Sequence, residues 1–170
     1  LTVPQTNEFI RRSCSSTTYP TLCYSSLLEH ASAIQTSPKI LASTALNVTL
    51  SAARSTCQMM VKLAKGQGLT LREVGAMKDC VEELGDSVDE IRRSIDEMVS
   101  ARQPNFRFMM SNVQTWVSAA LTDESTCSDG FAGEMMNGEL KTAVRGRIVK
   151  IAQLTSNALA LINQYATTTA

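Results

Sequence analysis

The chain has 170 residues, enough for one domain with an ordinary core, and 44% hydrophobic against 19% charged residues excludes a disordered composition. Sixteen basic and sixteen acidic residues cancel, so net charge gives no sign of nucleic acid or any other polyanion as partner. Aromatics at 5% favour helices packed through small, flexible side chains over a β-sandwich. No run approaches the roughly 18–20 apolar residues of a membrane span.

The chain opens at Leu1 without Met, as a processed form would. Residues 6–13 read as a short helix capped by Thr6 or Asn7. A turn that Pro20 helps to set follows, then a second short helix from Thr21 to His30. Cys14 and Cys23 flank that turn, so each is the other's most accessible partner. A bridge there staples a hairpin too small to hold itself together, and closing the loop is worth roughly 3 kcal/mol.

Ser37-Pro38 opens a long helix, with Pro in the first turn where its missing N–H costs nothing. It runs to about Lys65 and carries two apolar stripes, Leu41 to Leu63 and Leu46 to Ala64, as a bundle helix with two neighbours does. Cys57 lies in the second stripe and reads as a buried free thiol. Asn47-Val48-Thr49 is an N-glycosylation acceptor on the helix's polar strip, which also holds Ser51, Arg54 and Gln58.

Thr70 and Glu73 form a capping box for the second long helix, which ends near Arg102. Met77, Val81, Leu84, Val88, Ile91, Ile95 and Met98 make an a/d seam over about three heptads, the pattern of a helix packed on helices. Cys80 borders the seam. Asp79, Glu82, Glu83, Asp86, Asp89 and Glu90 are expected on the side away from it.

Gln103-Pro104-Asn105 breaks the chain before a third helix, Phe106 to about Thr122, in which Trp116 is expected in the core. Residues 123–137, with Cys127, read as a break. A last helix runs from Gly138 to about Tyr165, and Lys141, Arg145, Arg147 and Lys150 give its first half a solvated basic face. The fold expected is an all-α, up-down-up-down four-helix bundle (36–170) behind an N-terminal helical hairpin (1–35), together one domain.

The five cysteines form no C-x-x-C pair and no zinc-type spacing. Disulfides with one free thiol imply secretion. Once Cys14 and Cys23 are paired and Cys57 is free, Cys80 and Cys127 remain, and that bridge is worth roughly 4 kcal/mol.

Catalytic chemistry has little to build on. His30 is the only histidine, and no G-x-S-x-G, glycine-rich phosphate loop or H-E-x-x-H is present. An apolar stripe keeps Cys57 inert, and carboxylates on a convex bundle lack a cleft to perturb them. The expectation is a secreted, disulfide-stapled helical bundle that is not an enzyme, with no metal, no cofactor and no small-molecule substrate.

The cysteine framework, together with Asn-Val-Gln-Thr-Trp-Val-Ser-Ala-Ala-Leu-Thr-Asp-Glu-Ser-Thr-Cys-Ser-Asp-Gly-Phe at 112–131, resembles the plant invertase and pectin methylesterase inhibitor family. The stretch is similar to that family's T-W-(L/V)-S-A-A-L-T…T-C-x-D-G-F signature, and the resemblance spans about residues 6–166. It implies bridges Cys14–Cys23 and Cys80–Cys127, and a secreted apoplastic, cell-wall protein that binds its target enzyme one to one over the active-site cleft. In the methylesterase-inhibitor branch an acidic C-x-E-x-x-x-D-x-x-D helix meets the enzyme, and Cys80, Glu82, Asp86 and Asp89 match it. Thr126 and Asp129 match further positions of that contact region.

Invertase inhibitors carry Pro-Lys-Phe where this chain has Pro104-Asn105-Phe106, so the resemblance points first to pectin methylesterase. Inhibition of a cell-wall or vacuolar acid invertase is the alternative, and a released pectin methylesterase pro-region is another. A structural or ligand-carrying bundle is the reading from a different class.

Overall fold

The computed structural model describes residues 2–133 and 138–169. Three short helices come first: α1 (Val3–Cys14), α2 (Pro20–Leu28) and α3 (Ala31–Ile34). Four long ones follow: α4 (Pro38–Ala64), α5 (Leu71–Ser100), α6 (Phe106–Asp129) and α7 (Gly138–Thr169). Neighbours in space form a ring, α4 beside α5, α5 beside α6, α6 beside α7 and α7 beside α4. That is the up-down-up-down bundle, with α4–α7 and α5–α6 on opposite sides.

The helix starts follow local chemistry. Ser37 caps α4, its hydroxyl accepting the Ile40 N–H at 3.2 Å, with Pro38 in the first turn. At α5 the Thr70 hydroxyl accepts from Glu73 N–H at 3.2 Å, and the Glu73 carboxylate accepts from Thr70 N–H at 2.9 Å. The first helix starts earlier than the sequence suggests. Thr2 is its cap, and the Gln5 side chain accepts the Thr2 N–H at 3.0 Å. The helix expected at 21–30 is α2, which ends at Leu28, and the short α3 beyond His30 was not expected.

The largest departure is in α6, which continues through Asp129 where a break from residue 123 was expected. The polar run is accommodated inside the helix: Thr122, Ser125 and Thr126 hydroxyls donate to the carbonyls four residues back, at 2.8–3.1 Å. Cys127 is therefore a helix residue, aimed at α5. The remainder of the expected break falls partly on residues 134–137, outside the described ones.

On α5 the seam residues Met77, Leu84, Val88, Ile91 and Met98 are buried, with Val81 and Ile95 half-buried beside them. Cys80, Ser87 and Ser94 are buried too. Their seven-residue spacing puts a line of small side chains against α6, so the two backbones approach closely. Cys80–Cys127 closes there, with the Cα atoms 4.5 Å apart. Trp116 does not join the core. It is half-buried at the edge of the α6 stripe, whose inward line is Met110, Val113, Val117 and Ala120. Cys57 is free but only half-buried, and burial pushes its thiol pKa up.

The hairpin shares the bundle's core through Ile10, Leu27 and Ile34, and Cys14–Cys23 staples it with the Cα atoms 5.6 Å apart. Two amides of α7, Asn157 and Gln164, tie it to the bundle. Asn157 accepts from Tyr19 N–H at 3.1 Å and donates to the Tyr19 carbonyl at 3.0 Å. Gln164 donates to the Ser13 carbonyl at 3.1 Å and to the Ser16 hydroxyl at 2.7 Å.

Candidate functional site

Helix periodicity places Glu82, Asp86 and Asp89 on one outward side of α5, and all three are exposed. Asp89 accepts from Arg92 Nη1, one turn on, at 3.4 Å. Between α5 and α6, beside the Cys80–Cys127 bridge, lies an open cleft of about 600 Å3. Glu82, Glu83 and Asp79 line it from α5, and Thr126 from α6. Thr126 has given its proton to the Thr122 carbonyl at 2.9 Å, so its oxygen is left as an acceptor.

The structure thus brings Glu82, Asp86, Asp89 and Thr126 onto one face. Asp129 stands apart from them: it is exposed, but it lines a smaller cleft between α6 and α7 with Tyr19 and Ser156.

The acidic run is not wholly on the outside. Glu83 and Glu90 are half-buried towards α6, where the Asp123 carboxylate acts on both, and Glu90 Oε2 is buried with no hydrogen-bond partner among the described residues. Loss of water, then Asp123, then Asp86 push the Glu83 pKa up. Glu90 is raised to about 7, by burial first and Asp123 next, with Arg93 opposing.

Deeper, Glu124 is fully buried. Its Oε1 accepts from Ser87 of α5 at 2.7 Å and Thr155 of α7 at 2.9 Å, while Oε2 has no partner among the described residues. Burial pushes Glu124 up to about 7 despite those two donors. Sequence reasoning missed Asp123 and Glu124 as members of this face and its interior, because it ended the helix before them. The one available signal was the buried-size residues at seven-residue spacing on α5, which mark the line where another helix closes in.

Other chemistry is not assembled. His30 has Glu29 at 3.6 Å, and among the described residues no hydrogen bond joins it to a serine or cysteine. No group of three or more His, Cys, Asp or Glu among the described residues could hold a metal ion. No described helix is long and apolar enough to cross a membrane. Asn47 is exposed on α4, its side chain donating to the Ser43 carbonyl at 2.9 Å.

The chain is thus a disulfide-stapled helical bundle with exposed carboxylates on α5 beside an open cleft. The family described as "Plant invertase/pectin methylesterase inhibitor" matches residues 8–161, and this chain belongs to it. The family is one of inhibitors, not enzymes. Among similar proteins, the carrot (Daucus carota) "21 kDa protein" is 51% identical over 94% of this chain and 84% of its own length. Pectinesterase inhibitor 11 of Arabidopsis thaliana is 52% identical over 94% of this chain and 81% of its own length. A crystal structure of a mutant form of a pectin methylesterase inhibitor from Arabidopsis superposes with a TM-score of 0.73 over 88% of this chain and 92% of that one. At 23% identity, that likeness is one of fold.

Proposed function

We propose that the protein inhibits pectin methylesterase by laying its α5–α6 face over the enzyme's pectin-binding cleft, one inhibitor to one enzyme and with no covalent step. The observation that carries this reading is the set of exposed carboxylates Glu82, Asp86 and Asp89 beside the Thr126 cleft. Asp129, round the side of α6, would meet the rim of the contact. The pectinesterase inhibitor name of a relative at about half identity supports the same target. The two disulfides support a secreted protein of the oxidising cell wall.

An invertase reading is weaker on a structural ground as well as a sequence one. Phe106 of the Pro104-Asn105-Phe106 stretch is buried, edge-on to Tyr165 with ring centroids 5.4 Å apart, so it has no free ring to insert into a target.

The test is inhibition of pectin methylesterase and of acid invertase by the same preparation, with complex mass giving the stoichiometry. The esterase should be inhibited and the invertase not. Reversing three charges, Glu82→Lys, Asp86→Lys and Asp89→Lys, should weaken inhibition at least about 100-fold with the fold intact. Full inhibition by that variant would falsify the proposed face. As pH rises through about 7, Glu90 loses its proton and the face gains negative charge, and Glu83, whose pKa is also raised, adds to that gain as it ionises. Against a cleft that carries carboxylates of its own, inhibition should therefore weaken.

A further inference from the structure

Zero net charge conceals a partition. On α4 and α7 there are seven Lys and Arg against one acid, Glu139. On α5 and α6 there are twelve Asp and Glu against five Lys and Arg. Because the helices stand in a ring, the two groups occupy opposite sides of the molecule. If α5–α6 meets the enzyme, the part of α4–α7 that the hairpin leaves uncovered still faces solvent, and there cations outnumber acids.

That side also has a shape. An open groove of about 780 Å3 runs between α4 and α7 and under α2. Its polar lining is mostly hydroxyl and amide: Asn47, Ser51 and Ser55 of α4 and Ser25 and Ser26 of α2. Lys150 of α7 and Glu29 of the hairpin are its charged lining residues and offset one another, with His30 beside Glu29, so the excess of positive charge lies on the rim. One turn from Lys150, the Arg147 guanidinium reaches across the seam and donates to the Ser55 hydroxyl at 3.2 Å. Arg54, exposed on the next residue of α4, extends the same strip.

Neutral donors and acceptors in number, with a few cations spaced along them, match a chain of sugars that carries carboxylates. A phosphate polymer calls for a dense row of Lys and Arg instead. We propose that the α4–α7 groove binds an acidic polyuronate. Its identity rests on the inhibitor reading above: hydrolysis of a methyl ester on such a polymer turns a neutral group into a carboxylate. De-esterified stretches are therefore the polyanion generated wherever the target enzyme works. One face of the inhibitor would then hold the polymer while the other meets the enzyme.

The experiment is binding of the full chain, produced without N-glycan so that nothing on Asn47 fills the groove, to immobilised polygalacturonate. The fully methyl-esterified polymer and double-stranded DNA serve as comparisons. The acidic polymer should retain the protein and release it as salt rises, while the esterified polymer and DNA should bind at least about tenfold more weakly. Arg147→Glu with Lys150→Glu, both exposed, should cut retention at least about tenfold with an unchanged melting temperature. Equal binding to the esterified polymer or to DNA, no binding to polygalacturonate, or full retention by the double variant each overturns the proposal. Enzyme inhibition is measured separately on a soluble substrate, so a protein that inhibits but does not bind polymer refutes only this inference. One that binds polymer but does not inhibit refutes the inhibitor reading and, with it, the reason for choosing a polyuronate.

Discussion

The α5–α6 and α4–α7 sides of the bundle are both seams between neighbours in the same ring, and they treat charge in opposite ways. On α5, Cys80, Ser87 and Ser94 let α6 come close, and the disulfide fixes that approach. Glu83 and Glu90 are thereby pressed against Asp123, and their charge depends on pH. Across α4–α7, Arg54, Arg147 and Lys150 stay exposed, and one Arg147–Ser55 hydrogen bond spans the surface. Close packing makes charge titratable, whereas an open seam leaves it fixed and subject mainly to salt. The acidic side should therefore answer to protons and the basic side to ionic strength.

The strongest way to break this contrast is to release the close side. Replacing Cys80 and Cys127 by Ala removes the long loop closure, worth on the order of 4 kcal/mol in the chain-entropy model. A melt followed by circular dichroism should fall on the order of 10 °C for a chain of this size. With α6 freed to move away, Glu83 and Glu90 should titrate closer to ordinary carboxylates. Side-chain NMR titration reads that directly. If their midpoints stay put, close approach is not the cause of their shift.

Next in size is the buried carboxyl. Glu124 titrates at about 7 in the folded protein, above its unfolded value, so the folded state holds a proton that the unfolded chain has already released. Its contribution is full below the ordinary carboxylate range, declines as pH rises through about 7, and is constant beyond. The total loss is on the order of 3 kcal/mol. Glu124→Gln keeps the shape and an oxygen for Ser87 and Thr155 to donate to. Urea unfolding at pH 5 and pH 8 should show the variant losing less stability than the parent across that interval. Equal losses would mean that Glu124 is not the group responsible.

How much of this could be read from the sequence depended on distance along the chain. The α5 seam, the Thr70–Glu73 box and the Ser37-Pro38 start are local signals, and the structure has each of them. Two nearby cysteines at a turn were likewise legible. Residues 122–129 misled because hydroxyl and acidic side chains favour loops unless something satisfies them, and here their own helix does so. Glu83 and Glu90 sit just off the seam, and α5 alone does not say whether water or another helix covers them. Glu124 is harder still: its partners lie 37 and 31 residues away on two different helices. The charge partition was hidden for another reason. A sum over the chain is zero, and the separation shows only when helix boundaries and neighbours are known.

The smallest effect belongs to the open side, and it sharpens the contrast by being small. Arg147 and Ser55 are both exposed, so their hydrogen bond replaces two good bonds to water and orders a long side chain. Arg147→Ala should change stability by less than about 0.5 kcal/mol, since surface contacts of this kind are nearly balanced by solvation. The same unfolding curves, run at low and high salt, should overlay those of the parent. A loss of 2 kcal/mol or more would mean that α4–α7 is held by this contact as firmly as α5–α6 is held by its bridge. The cations there would then be part of the scaffold, with little freedom to meet a ligand.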